Sequence, residues 1–407
     1  MNSIEADFIV VGAGLVGIAA AVSLAKQLGD KSYNVVLLDQ KCPNIKLTQA
    51  FDSRVYAISP STVRWLKELD VWQRVDASRI SPIKAMHVFG DANSSKLKLL
   101  ATDINAVNLG YIVENQQLMH ALWQMLEALN IKVITGVACQ SLNIMLNQAS
   151  IILANQQVVN AKLLIAADGV DSWVRTQADI TMKNKAYKQT AIIANYKCEK
   201  NHQDIARQWF GSEKYGSDSV LAFLPLPDNQ LSIVWSLTSE KAHQLLNLSD
   251  EDFTKEVLLQ SLDTSSSLTL SSSRMRFDLN KKTCTRLIAE RVVLIGDAAH
   301  QIHPMAGQGV NLGFRDVMAL EQVMAGLKLS RNNTQESTTV DVGSKRSLRD
   351  YERRRAADLS HMVSLTDGLH QLFAAKSATI KTLRNWGLSK LDNQFWIKKH
   401  LIQQAIK

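Results

Sequence analysis

Apolar positions fall into three patterns along the chain. Asp7–Val11, Asn34–Leu38, Ala161–Ala167 and Arg291–Ile295 are short, nearly unbroken apolar runs without polar alternation, as in parallel strands buried on both faces. Lys84 to Phe89 and Leu231 to Leu237, and the stretch from about 183 to 279 generally, alternate instead. That predicts an antiparallel sheet with one covered face. Leu15 to Leu28 places Ala and Leu at helical spacing, a second helix is predicted from near Phe314, and long helical patterns follow residue 345. Ser330 to Lys345 is polar and reads as a surface loop. Phe8 to Ala25 runs 18 residues without a charge, but Glu5 and Asp7 precede it and three glycines interrupt it, which argues against a signal peptide or a membrane span.

Composition narrows the class. The chain has 407 residues, 46% hydrophobic and 21% charged, which suits a soluble globular protein of several domains and excludes disordered and collagen-like classes. Its net charge of +8 is uneven. Lys376 to Lys407 holds seven basic residues and one acid, interleaved with Trp386, Phe395, Trp396 and aliphatic residues. This segment reads either as a basic amphipathic element lying on anionic lipid or as a helix packed on the body with a solvated basic face. Cys42, Cys139, Cys198 and Cys284 show no metal-ligand spacing and are expected as reduced thiols in a cytoplasmic protein. Nucleic acid is not an expected partner.

Candidate chemistry sits where the buried runs end. Gly12-Ala13-Gly14-Leu15-Val16-Gly17 joins the first run to the first helix. The glycines allow a tight turn, close approach of a pyrophosphate and close helix–strand packing, while the helix start offers free N–H groups. Asp39 ends the second run, 22 residues after Gly17, where a carboxylate would meet an adenosine ribose. The motif predicts a dinucleotide and leaves NAD and FAD open; an acid at Asp39 argues against NADP there. The third run leads into Asp168-Gly169-Val170-Asp171-Ser172, which also reads as a helix capped by Asp171 or Ser172. The fourth leads into Gly296-Asp297-Ala298-Ala299-His300 and then His303-Pro304-Met305-Ala306-Gly307-Gln308-Gly309-Val310-Asn311. Such ends converge in a doubly wound sheet, whose ligand crevice lies at the carboxyl ends of its strands. His300 and His303 lack a third ligand in range, so no metal site is expected.

GAGLVG, AADGVDSWVR and LIGDAAHQIHPMAGQGVNLGFRD resemble the three fingerprints of the class A flavoprotein aromatic hydroxylases, typified by para-hydroxybenzoate hydroxylase. DSRVYAIS from Asp52, LGYIVEN from Leu109, AFLPL from Ala222 and IVWS from Ile233 are similar to the ubiquinone-biosynthesis hydroxylase family. Two departures concern the substrate side: Ser217-Asp218-Ser219-Val220 replaces a Gly-Pro common in the family, and Gln301 and Met305 stand where Thr and Leu are common.

The resemblance implies an α/β fold: a Rossmann-like FAD-binding domain (1–75, 108–182 and 280–345), an inserted antiparallel β-sheet substrate domain (76–107 and 183–279) and a helical C-terminus (346–407). It implies that Gly12, Gly14, Gly17, Asp39, Arg54, Asp168, Gly169, Gly296, Asp297, Pro304, Gly307, Gly309 and Asn311 form the FAD site. Gly307 and Gly309 would lie against the isoalloxazine ring, with the helix beyond them facing reduced flavin. Arg54 read by itself also suits a surface ion pair, but its segment lacks the polarity of an exposed loop, which favours the site. The implied reaction is hydroxylation of a polyprenylated phenol or benzoquinol ring by O2, through a flavin C4a-hydroperoxide. With no second glycine-rich strand–helix unit, the electron donor would be transiently bound NAD(P)H or a redox protein. Other proteins of the same pathway, a second copy of the chain and the inner face of the membrane are compatible contacts. Two rival readings are a same-fold flavin oxidoreductase acting on another lipid or aromatic compound, and a non-catalytic flavin-binding subunit. A halogenase is disfavoured because no Trp-x-Trp pair occurs.

Overall fold

The unbroken apolar runs lie side by side. In the computed structural model, which describes residues 3–27, 33–90, 96–212, 214–262, 267–301, 309–333, 341–374, 398, 399 and 402, five strands pair in parallel. They are β1 (Ser3–Val11), β2 (Val35–Asp39), β8 (Lys132–Thr135), β11 (Val158–Ala166) and β19 (Val292–Leu294), in the order β19-β11-β1-β2-β8. Phe8, Ile9, Val10, Leu163, Leu164 and Ile165 are all 0% exposed, so neither face needs polar residues and no alternation appears. β18 (Ile288–Ala289) adds antiparallel at one edge, and the hairpin of β9 (Cys139–Ile144) and β10 (Ala149–Leu153) attaches to β11. Register puts Val11 beside Ala166, and Ala166 beside Leu294. Three motifs distant in sequence therefore begin side by side at the carboxyl ends of neighbouring strands.

Helix α1 (Leu15–Gln27) packs on α3 (Asn115–Ala128) and α7 (Gly309–Asn333), and α7 on α8 (Lys345–Ala374). Two expectations are corrected here. The α7 helix starts at Gly309, not near Phe314, because first-turn N–H groups have no intrahelical acceptor and glycine costs little there. The polar stretch 330–345 is not all loop: α7 continues to Asn333 and α8 begins at Lys345. Ser330 to Asn333 contains neither Pro nor Gly, so nothing there stops a helix.

The alternating segments build a nine-stranded sheet ordered β20-β17-β12-β15-β14-β13-β5-β6. Its strands are β5 (Ala85–Phe89), β6 (Lys96–Leu100), β12 (Met182–Cys198), β13 (Ile205–Ser212), β14 (Gly216–Leu226), β15 (Gln230–Thr238), β17 (Met275–Cys284) and β20 (His300–Gln301), with β16 (Leu268–Leu270) on β12. It is mixed rather than wholly antiparallel, since β5 joins β13 in parallel. β5 comes from a distant segment and no hairpin dictates its direction. One face buries Ile192, Tyr196, Ile233 and Trp235 under α5 (Ser239–Leu246) and α6 (Asp250–Ser261), through residues such as Phe253 and Val257. The other carries Ala191, Ile193, Val234 and Ser236 into a cavity.

A small antiparallel sheet, β3 (Val55–Ile58), β7 (Gly110–Glu114) and β4 (Ser81–Ile83), contacts α3 and α7 on one side and β14 on the other. Two short α-helices, α2 (Pro60–Glu68) and α4 (Trp173–Gln177), and four single 3-10 turns complete the described elements. In the basic C-terminal segment, Lys398 is buried and pairs with Asp103 at 3.4 Å, and Ile402 is 1% exposed; at those two positions the chain packs on protein. The rest of its amphipathic pattern, 376–397, 400, 401 and 403–407, lies outside the described residues, as do His303, Pro304, Met305 and Gly307. No helix among the described residues is long and apolar enough to cross a membrane. All four cysteines are free, and burial above all pushes the thiol of Cys139 up to about 12 and those of Cys198 and Cys284 to about 11.

Candidate active site

Gly12 leaves β1 with φ +110°, its N–H donating to Leu38 O at 2.7 Å. A Cβ at Gly12 would lie 2.2 Å from Ala167 O, and one at Gly17 would lie 1.9 Å from Gly12 O, so both positions require glycine. A Cβ at Gly14 would meet nothing within 4 Å. Gly14 instead leaves bare backbone beside the first turn of α1, and Gly14, Leu15 and Val16 line the cavity. Accessible main chain at a helix start whose N–H groups lack acceptors is a cradle for an anion, which fits a pyrophosphate. Asp39 accepts Ala13 N–H at 2.6 Å and Lys41 N–H at 2.8 Å. It braces the glycine turn from β2 and keeps lone pairs for a hydroxyl donor.

The second motif divides its labour. Asp168 accepts Ser172 Oγ–H and, at 3.0 Å, Val174 N–H, while Ser172 Oγ accepts Arg175 N–H at 3.0 Å and caps α4. The Asp168 side chain thus serves the capped helix, and burial raises its pKa against those hydrogen bonds. Gly169, at φ +84°, faces the cavity. Buried Arg175 ties this motif to the third, donating to Ala298 O at 3.1 Å and Val170 O at 3.0 Å.

The third motif turns through Gly296-Asp297-Ala298. Gly296 (φ +57°) packs on Val16, and a Cβ at Gly313 would lie 2.5 Å from Val16 Cγ2, so α1, this turn and α7 meet closely. Asp297 lines the cavity. Burial raises its carboxyl pKa, with the nearby His300 and Arg54 charges pulling it down. Behind the turn, Asp316 is 0% exposed and accepts Gly296 N–H at 2.8 Å, His300 Nε2 at 2.7 Å and Arg355 Nε–H at 2.6 Å. Burial alone would raise the Asp316 pKa, but the His300 and Arg355 charges, with the His300 and Gly296 hydrogen bonds, hold it below the usual carboxylate range. Tyr351 of α8 donates to Leu294 O at 2.8 Å. The long C-terminal helix therefore supports the strand end from below.

Arg54 lies on the cavity wall, 5.6 Å from the Tyr56 ring centroid, and no ion pair involves it among the described residues. Its loop is firmly held. Asp52 accepts Arg54 N–H at 2.9 Å and donates its own N–H to Glu114 at 2.6 Å. Glu114 is 1% exposed and takes two 2.7 Å bonds from Arg79, which also donates to Gln49 O and Ala50 O. Asn195 of β12 donates to Phe51 O at 3.3 Å and Asp52 O at 3.0 Å, joining the large sheet to this loop.

Gly309 lines the cavity, but as the first residue of α7 rather than as part of a loop before it. Asn311 turns away from the cavity: its Oδ1 accepts Ser59 N–H at 3.0 Å and its Nδ2 donates to Ala57 O at 2.7 Å, stapling β3 to α7. Sequence reasoning missed Arg79, Glu114, Arg175, Asp316 and Arg355 as supports. Only Asp316 left a trace, a carboxylate among the apolar positions Leu312, Val317 and Leu320 of a helix.

The cavity, of about 650 Å³, runs from these strand ends to the inner face of the large sheet. It can therefore hold a dinucleotide's reactive ring against a second, largely apolar compound.

The FAD binding domain family matches residues 5–336. The chain is 32% identical over 419 residues to the 3-demethoxyubiquinol 3-hydroxylase of Escherichia coli K12, covering 100% of both chains. It is 30% identical to ubiquinone hydroxylase UbiL of Rhodospirillum rubrum, covering 98% of this chain and 89% of the other. Human mitochondrial ubiquinone biosynthesis monooxygenase COQ6 is 29% identical, with 98% and 92% covered. Among solved structures, p-nitrophenol 4-monooxygenase PnpA of Pseudomonas putida superposes with TM-score 0.77 at 14% identity, over 100% and 99% of the chains. Klebsiella pneumoniae HpxO, complexed with FAD and uric acid, superposes with TM-score 0.73 at 16% identity, over 99% and 97%. The three strand-end motifs, the cradle at Gly14 and these likenesses agree: the chain belongs to the FAD binding domain family of flavin-dependent monooxygenases and groups there with the ubiquinone-biosynthesis hydroxylases.

Proposed function

We propose that this protein is an FAD-dependent monooxygenase that hydroxylates the aromatic ring of a polyprenylated phenol or benzoquinol during ubiquinone biosynthesis. The observation that carries the reading is one cavity bounded on one side by the flavin motifs and on the other by a sheet face of mostly Ala, Val, Ile and Leu. Bound FAD, once reduced by an electron donor, would activate O2 for transfer of one oxygen atom to the ring. The chain does the rest. Amides at Gly14 to Val16 bind phosphate, Asp39 and Asp297 accept hydrogen bonds from hydroxyls, and the apolar sheet face orients the ring and keeps water out. No general base is needed to position an electron-rich phenol.

Phe277 lines the cavity at 39% exposure and Met275, two residues away on the same face of β17, is 41% exposed. They offer an apolar tail a way out along the sheet edge, which supports a prenylated substrate. Residues 1–75, 108–182 and 280–345 would form the cofactor part, 76–107 and 183–279 the substrate part, and 346–407 the C-terminal helical segment. NAD(P)H or a redox protein would supply electrons transiently.

Deleting the gene in its host and analysing quinone intermediates by mass spectrometry tests the reading. A prenylphenol lacking one hydroxyl should accumulate and identify the ring position. An unchanged quinone pool, in a strain with no redundant hydroxylase, would sink it. A purified protein that holds FAD yet fails to restore hydroxylation would favour a scaffold role.

A further inference from the structure

The cavity face of the large sheet is chemically sparse. Along β12 to β15 its alternating positions are small or aliphatic, as at Ala191, Ala206 and Ala222, with two polar exceptions on the cavity lining: Gln208 on β13 and Ser236 on β15. Ser236 is 5% exposed, set between Ala191 and Val220 in register. Gln208 is half-buried beside Ala222. Neither side chain has a hydrogen-bond partner among the described residues. Polar atoms walled by apolar groups cost free energy unless paired, so both side chains are poised for a ligand atom.

Their spacing limits what that ligand is. Gln208 pairs with Ala222 and Ala222 with Val234, two residues before Ser236. The two side chains are thus two strands across and two residues along, about 12 Å at ordinary sheet spacings. That is too far to share one substituent and suits one aromatic ring with a hydrogen bond at each of two opposite edges. Charge is the second limit. Of the charged groups on the cavity wall, Arg54 and Asp297 lie near one another on the flavin-motif side, while Arg207 and Asp278 border the large sheet from the other pleat of their strands and are engaged, Arg207 with His202 O and Ile205 O, Asp278 with Thr190.

We infer that Gln208 and Ser236 are the specificity-determining pair, orienting an aromatic acceptor by neutral oxygen substituents, hydroxyl, methoxyl or carbonyl, on opposite ring edges and disfavouring a ring carboxylate. The inference rests on the hydroxylase reading above. A ring held at both edges by a neutral amide and a neutral hydroxyl lies flat on the alanine platform, with one fixed edge toward the flavin motifs. Either oxygen alone would leave the ring free to pivot.

The test uses the full-length FAD-loaded protein and reads ligand binding from the flavin absorbance spectrum. The probes are 4-methoxyphenol, phenol and 4-hydroxybenzoate, with Gln208→Leu, Ser236→Ala and the double variant. In the unaltered protein 4-methoxyphenol should bind more tightly than phenol, and both more tightly than 4-hydroxybenzoate. Each single variant should weaken 4-methoxyphenol about five- to tenfold, the effect of one neutral hydrogen bond. In the double variant 4-methoxyphenol and phenol should bind alike, while FAD affinity and thermal midpoint stay unchanged; Ser236→Thr should restore binding. Preference for 4-methoxyphenol persisting in the double variant, or tighter binding of 4-hydroxybenzoate by the unaltered protein, would overturn the inference and leave the hydroxylase reading standing. If none of the three compounds perturbs the bound flavin, both fall together.

Discussion

Two glycines of one turn share a residue type but not a duty. Gly12→Ala drives a methyl into Ala167 O at a φ of +110°, a strain of about 1–3 kcal/mol before the clash itself is counted. Gly14→Ala meets no protein atom. The expected outcome is a lowered melting temperature and lost FAD for Gly12→Ala, against an unchanged apoprotein melting temperature and several-fold weaker FAD binding for Gly14→Ala. Calorimetry and flavin fluorescence titration separate the two. Asp297 sets a pH dependence. Burial raises its pKa above 3.8; under the proposed role, in which it meets FAD hydroxyls as an ionised acceptor, FAD affinity should fall as pH drops through that raised value. In the apoprotein the sign reverses. An acid with a raised folded pKa binds its proton more tightly when folded, so its contribution to stability declines as pH rises from 3.8 through the raised value. Asp297→Asn should bind FAD more weakly at neutral pH and lack the acidic limb; a limb at the same pH in the variant would contradict this assignment.

At the scale of elements, α7 and α8 act as struts beneath the third motif. Asp316→Leu would leave His300 and Arg355 without their shared carboxylate in a buried site, a loss of about 3–5 kcal/mol. Denaturant unfolding should show it, with FAD binding weakened in whatever folds, because Gly296 N–H also loses its acceptor. Arg79→Met should leave more stability, since Phe51 still packs on that side chain, yet loosen the 49–54 loop and weaken FAD binding; proteolysis confined to that loop would report it. The strands were legible because burial on two faces or one writes itself as an unbroken run or an alternation. Helix starts were not. Gly309 opens α7 five residues earlier than the apolar period shows, because a helix's first turn is decided by its end groups and not by the face it buries.

For the whole molecule, the cavity spans both sheets and Asn195 ties the large sheet to the loop at Phe51 and Asp52, so a ligand filling the cavity would couple the two sheets. At a hundredfold excess over Kd, FAD should add about 2.7 kcal/mol, and one cooperative thermal transition should move. Two transitions of which only one shifts would show the sheets to be energetically separate. Taken by itself, the sequence determined the local chemistry: buried runs, glycine turns, strand-end acids and their likeness to a flavoprotein family. These are short-range properties, written in neighbouring residues. Tertiary structure alone decided that Val11, Ala166 and Leu294 stand side by side, that Asp168 braces the start of the helix capped by Ser172 while Gly169 faces the cavity, and that Asn311 staples two elements instead of lining the site. It also decided that Asp316, Arg355, Arg79 and Glu114 carry the site from behind. A buried charge has no meaning until its partner arrives, and each of these partners comes from an element many residues away.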